Sequence, residues 1–465
     1  MSHQEQLLSQ KEHLLQEEER QDAPPIFDKG EEGSLVPWIV LFCCFIGGLG
    51  PVVSWNSLYV SETYFSLKFG KTFLSIVGLL QNIPSLLVQI FLVAGNSSGR
   101  TRKMGYKYPT ILAAVAQIFV LGASFYIVAA VSDKEEGEAT SLQLTFYALV
   151  LINGTATGIS AGRYFSLAAE FPPQCIGYMV AGNAMGALLP TILYFVFNFL
   201  YSDDDINHLL NEVIYPVGIV FLILQIISFF FLERTELYKE VDEKNSILDE
   251  PSTELLSRED GNYKAVDEFG ETVVPEVPNY GLFSVHMISA WWLSFGLALT
   301  MLISLSLLSI VAFIPCFQFG MNLSFYLIAS YNLGDLVGRQ VGTKLDLTDA
   351  VLYIIMGLRI AFIPFVLAYI AHPFAYGGDG LILTVYFLLS ATNGLSLCCG
   401  SANSQKICGF SVADVCPVVG SLSAVSMQLG LVCGVALSLA WAALVAPLQE
   451  TFSPEMDASD GLVCM

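Results

Sequence analysis

Apolar residues along this chain fall into long, unbroken blocks separated by short polar stretches. Eleven such runs cover about residues 36–60, 73–95, 108–131, 142–169, 175–201, 213–232, 287–314, 322–344, 349–371, 381–402 and 417–446. Each is of the order of the roughly 20 residues that a helix needs to cross the hydrocarbon core of a bilayer. The pattern predicts an all-α polytopic membrane protein with eleven transmembrane helices in two bundles, six before residue 233 and five after residue 285. The expected division is a polar tail over 1–34, a six-helix bundle over 35–232, a charged linker over 233–285, a five-helix bundle over 286–446 and a tail over 447–465. The linker is charged, dotted with proline and poor in large apolar residues, so it need not be ordered.

Polar residues inside the blocks are the next signal, because every polar group at bilayer depth needs a partner. The eighth run holds Tyr331-Asn332-Leu333-Gly334-Asp335-Leu336-Val337-Gly338-Arg339. Asp335 and Arg339 are four apart and share one helix face. A carboxylate at the bilayer centre costs about 2.5 kcal/mol or more on insertion scales. The pair therefore either fixes helix rotation as an internal salt bridge or lines a path for polar cargo. Trp55 and Asn56 follow Gly47-Gly48-Leu49-Gly50 in the first run. Trp55 reads as an interfacial anchor or as the wall of a cavity. Gln81-Asn82-Ile83-Pro84-Ser85 puts two amides before a helix-bending proline. Arg163 either snorkels to the surface or forms part of an inner gate. Gly182 and Gly186 have the small-x-x-x-small spacing of a close helix contact, and Asn183 between them either ties helices together or touches cargo. Arg359, deep in the ninth run, needs an acceptor. Asp335 and the carbonyls freed by Pro364 are candidates, and the residue reads as structural or gating.

Composition sharpens the class. The 465 residues are 54% hydrophobic and 13% charged, with a net charge of −22. Acidic residues crowd the N-terminal tail, two loops and the linker, which argues against nucleic-acid binding. The ten cysteines lie mostly inside apolar runs and read as small packing residues. No cofactor, metal ligand set or obligate protein partner is indicated; the expected partners are the bilayer and a small molecule. No paired-carboxylate motif, nucleophile elbow or NTP-binding loop occurs, so the chain is not expected to be an enzyme or an ATP-driven pump. A cleavable leader is not expected, since the first 35 residues are polar. Lysine and arginine distribution favours a cytoplasmic N-terminus: Arg100, Arg102, Lys103, Lys107, Arg234, Lys239, Lys344 and Lys406 then all face inward. An odd number of spans places the C-terminus outside. The default address is the plasma membrane.

The order of these motifs resembles the equilibrative nucleoside transporter family. Asn332-x-x-Asp335-x-x-Gly338-Arg339 matches a late-span motif of that family, and Gly48-Leu49-Gly50 with Trp55-Asn56 matches its first span, Ser54 replacing a proline. Arg359-x-x-Phe362-x-Pro364 and Thr392-Asn393-Gly394 match two further elements. Gly182-Asn183-Ala184 and Phe313-Ile314-Pro315-Cys316 are looser matches. The resemblance implies major-facilitator-like alternating access around a central site, with Val52, Trp55, Asn82, Ser85, Ser160, Asp335 and Arg339 contacting substrate. Asn56, Arg163, Asn183, Asn332, Arg359 and Asn393 are the expected gating or structural polar residues. The cargo implied is a nucleoside, with nucleobases as an extension, carried without strong proton coupling. The alternative is another polar or cationic solute carried by the same fold, with proton coupling open.

Overall fold

The computed structural model describes residues 36–60, 73–97, 105–132, 140–200, 206–249, 288–308, 310, 314, 323–371, 378–406 and 416–452. The expected N-terminal tail, most of the linker, the Phe313–Cys316 break (apart from Ile314) and the acidic loops at 133–138 and 203–205 lie outside them, as does the expected C-terminal tail beyond residue 452, the first six residues of that tail continuing the last helix.

The predicted runs fold as helices. In chain order they are α1 (Trp38–Val60), α2 (Phe73–Ser97), α3 (Lys107–Ser132), α4 (Thr140–Glu170), α5 (Pro173–Leu200) and α6 (Ile206–Leu232) in the first half. The second half contains α8 (Ile288–Leu308), α9 (Leu323–Gly342), α10 (Asp349–Leu358), α11 (Phe362–Ala371), α12 (Asp379–Lys406) and α13 (Cys416–Phe452). Among the described residues, 10 helical segments are long and apolar enough to cross a membrane. The predicted eighth span is the exception: α9 has the length, 20 residues, but Asn332, Asp335, Arg339 and Gln340 lower its hydropathy. A helix of that composition is stable at bilayer depth only when protein surrounds it.

Two details depart from the sequence reading. The start of the linker is an ordered helix, α7 (Glu236–Asp249). Its apolar face, Tyr238 and Val241, packs on the end of α6, with the Tyr238 and Phe229 rings edge to face at 5.9 Å. The ninth span is broken by a 3-10 turn at Arg359–Ala361, separating α10 from α11. Pro364 supplies no N–H to the carbonyl four residues back, and the backbone tightens there.

The two halves repeat one packing scheme. In the first, α1 packs on α5, α2 on α4 and α3 on α4; in the second, α8 packs on α13, α9 on α12 and α10 on α12. Contacts between the halves obey the same pseudo-two-fold: α2 meets α13 as α9 meets α5, and α4 meets α13 as α12 meets α5. Among the described residues, the second half thus repeats the first without a counterpart of its sixth helix.

Buried apolar side chains show how the halves are joined. At the end where α6 passes into α7, one continuous cluster crosses both halves, with Phe171, Cys175, Met179 and Tyr238 from the first and Leu297, Met356, Cys398 and Met427 from the second. Towards the opposite end each half has its own cluster, around Tyr215 and Phe146 in one and around Tyr369 and Tyr386 in the other.

Candidate transport site

Glycine spacing sets up the charged pair. Gly334 and Gly338 flank Asp335 on one face of α9. A Cβ at either would collide with backbone of α12, at Phe387 and Ala391. Their absence lets the two backbones touch. Asn393 on α12 then donates from Nδ2 to Asp335 Oδ1 at 2.7 Å. The other carboxylate oxygen, Oδ2, pairs with Arg339 Nη2 at 2.7 Å. Asp335 and Arg339 are 5% and 6% exposed.

The network extends both ways. Arg339 Nη1 donates to the Val180 carbonyl on α5 at 2.5 Å, so the pair reaches across to the other half. On the far side of Asn393 lies Arg359, 1% exposed. It donates to the Leu389 carbonyl at 2.6 Å, to Thr392 Oγ1 at 2.7 Å and to Ser304 Oγ. Ser304 in turn donates to Asn393 Oδ1 at 2.8 Å. Arg359 is thus held by neutral acceptors, and Asp335 is reached only through Asn393; the carbonyl freed by Pro364 is not among them. The 3-10 turn that bears Arg359 aims it at α8 and α12. Because Asn393 is gripped from one side by Ser304 and Arg359, its amide is fixed to face Asp335 from the other.

The first half is tied by uncharged groups. Ser54 on α1 donates to Asn153 on α4 at 2.6 Å, and Asn153 donates to Gln81 on α2 at 3.1 Å. Gln81 and Gln117 both donate to Thr157, at 3.2 and 3.0 Å. This chain puts Ser54 and Gln81, hence their neighbours Trp55 and Asn82, at one depth. Trp55 is half-buried with Tyr59 beside it, ring centroids 5.5 Å apart. Val52 is half-buried on the same helix and accepts from Asn56 Nδ2 at 2.9 Å, so that amide is satisfied within its own helix.

The remaining predicted residues divide between seam and interior. Asn82 and Asn332 meet the opposite half: Gln428 on α13 donates to Asn82 Oδ1 at 2.8 Å, and Asn332 donates to Thr191 Oγ1 on α5 at 3.0 Å. Ser160 is buried and accepts from Gln225 on α6 at 2.9 Å. Ser85 is buried in the α2–α4 contact, where the missing Cβ of Gly158 makes room for its backbone. Asn183 faces Gly48 in the α1–α5 contact, and a Cβ there would stand 3.1 Å from its Oδ1. Arg163 is buried at 2% exposure, and its Nε finds no acceptor among the described residues. Sequence reading missed Gln428, Thr191, Gln225 and Ser421, the last of which meets Ser166 at 2.6 Å between α13 and α4. The available signal was a lone amide or hydroxyl inside an apolar run, which needs a partner somewhere.

The fold resembles solved major facilitator superfamily transporters. The proton:xylose symporter XylE bound to 6-bromo-6-deoxy-D-glucose superposes with a TM-score of 0.57 at 13% identity, covering 89% of this chain and 90% of the other. The human organic anion transporter MFSD10 (TETRAN) gives 0.53 at 16%, over 90% and 97%. The partially occluded inward-open form of XylE from E. coli gives 0.51 at 13%, over 90% and 98%. At such identities the likeness concerns fold alone. No curated protein sequence matches the chain. The family model described as "Nucleoside transporter" matches residues 146–443, more than half of the chain. With that match and this fold, the chain belongs to the nucleoside transporter family and is a membrane transporter, a carrier rather than an enzyme.

Proposed function

We propose that this carrier moves nucleosides across the bilayer by alternating access, with the two halves rocking about the seam that Asp335 and Arg339 occupy. The observation that carries the reading is the bond from Arg339 to the Val180 carbonyl. A buried acid–base pair that stands on one half and grips backbone of the other must change partners whenever the halves part. Cargo with both donors and acceptors is suited to that exchange. Ribose hydroxyls donate to the Asp335 carboxylate, and cargo acceptors replace the carbonyl at the Arg339 fork. Trp55 supplies a flat apolar face for the base, with Val52 beneath it, and Asn393 and Arg359 hold the carboxylate in place. Ser85 and Ser160, engaged in helix contacts, shape the wall behind.

The single core cluster at the α7 end makes the conformation one that is closed on that side. Positive-inside orientation makes that side cytoplasmic, with the N-terminus inside and the C-terminus outside. The charged linker then joins the six-helix and five-helix bundles on the cytoplasmic face. Plasma membrane residence and an equilibrative mode with little proton coupling complete the proposal.

The test is uptake of labelled adenosine into vesicles holding the purified protein, competed by unlabelled inosine, uridine, a sugar and a monoamine. Competition by the nucleosides alone supports the reading. Competition by the sugar or the monoamine, with none by nucleosides, overturns it in favour of another polar solute.

A further inference from the structure

Among the polar pairs on the seam, Gln428 and Asn82 have no role in the nucleoside reading so far. Gln428 on α13 donates to Asn82 Oδ1 at 2.8 Å and to the Asn82 carbonyl at 3.3 Å, across the two halves. Each residue is 8% exposed. Asn82 donates one Nδ2 proton to the Gly78 carbonyl of its own helix at 2.8 Å. Its second proton has no acceptor among the described residues. Gln428 Oε1 likewise accepts no hydrogen bond among them. Carboxamides left half-used at bilayer depth are unfavourable unless something visits them.

Their chemistry and position suggest the visitor. One free acceptor and one free donor, held side by side on opposite halves, complement the donor–acceptor edge that a nucleobase presents. The chain Ser54–Asn153–Gln81 ties the helix turns that carry Trp55 and Asn82 together, so the indole and the amide stand at one level of the bundle. Resting on the nucleoside reading, we propose that Gln428 and Asn82 form the subsite that reads the nucleobase edge. Gln428 Oε1 accepts from a ring or exocyclic N–H, and Asn82 Nδ2 donates to a ring nitrogen or carbonyl. The base takes over bonds that otherwise link α2 to α13, so a recognised base also loosens the seam that must open. Sites that use hydrogen bonds reject analogues lacking them far better than apolar pockets reject a change of size.

The experiment compares inosine with benzimidazole riboside, whose base keeps the stacking face but lacks the amide edge. Both are measured in vesicles holding wild type, Gln428→Leu or Asn82→Leu. Wild type is expected to show a KM about tenfold or more lower for inosine. Either variant is expected to raise the inosine KM until the two ribosides match, with a much smaller change in the KM for benzimidazole riboside. The Asn82 variant keeps the test decisive if the Gln428 variant fails to fold. Equal losses for both ribosides, or an unaltered preference in a folded variant, overturn the subsite while leaving the nucleoside reading intact. Absence of uptake of either riboside by wild type overturns both.

Discussion

The two halves share one packing scheme yet hold themselves together differently. Inside the first, the buried polar chain that bridges helices at mid-depth is neutral: Ser54, Asn153, Gln81, Gln117, Thr157, Ser160 and Gln225, the charged links Tyr106–Glu170 and Lys107–Glu233 lying at the α7 end. Inside the second, the corresponding network carries Asp335, Arg339 and Arg359. Neutral interhelical hydrogen bonds in membranes average about 0.6 kcal/mol and tolerate loss. Removing one member of a buried ion pair strands the other charge, at about 3–5 kcal/mol. A chain that can build a bundle from amides has no structural need for charges in its sister bundle. On the proposed reading, the charged network belongs to the task and the neutral one to the scaffold.

That contrast breaks most readily at Asp335. Asp335→Ala or Arg339→Ala is expected to abolish nucleoside uptake while protein still reaches the membrane; uptake at the wild-type level in either refutes the division. The next effect comes from locking the seam itself. Ser166 and Ser421 touch across the halves at the α7 end. A Ser166→Cys/Ser421→Cys pair is expected to cross-link on oxidation, stop uptake and recover with reductant. Uptake that persists with the cross-link formed shows that this end does not open. Arg359→Lys keeps the charge but loses the fork that grips Ser304 and Asn393. About a tenfold fall in uptake, with Asp335 still present, is expected from a carboxylate held less firmly. Asn153→Ala, in the neutral network, is expected to cost about 1 kcal/mol of stability and leave uptake within about twofold. A loss as deep as that of the Asp335 variant erases the contrast.

The smallest effect concerns pH outside the membrane. Burial, reinforced by Asp242, Glu233 and Glu170, pushes the Tyr238 phenol up from its ordinary value near 10. An acid raised on folding contributes stability that is complete below its unfolded value and is lost as pH rises past it. Docking of α7 is therefore expected to be constant between pH 6 and 9 and to loosen only above about pH 10. Protease access to the linker checks this, and release near neutrality contradicts it.

Much of this was legible in the chain. The blocks located the helices because about 20 apolar residues in a row have few other uses. Asp335 and Arg339 were legible as a pair because their spacing is local. Partners distant in sequence were not: nothing in the α13 run marks Gln428 as the mate of Asn82, which lies 346 residues away. The same holds for Asn332 and Thr191, 141 apart. Arg359 was recognisable as needing an acceptor, but which one depended on a 3-10 turn that redirects it. Helix α7 escaped because its charge outweighs the few apolar residues, Leu237, Tyr238 and Val241, that dock it.

The most direct test is counterflow of labelled inosine in proteoliposomes made with wild type and with Asp335→Asn. The substitution keeps shape and a hydrogen bond for Asn393, and removes only the charge. The account predicts brisk counterflow in wild type and none above empty vesicles in the variant. Counterflow at the wild-type rate in Asp335→Asn would contradict it.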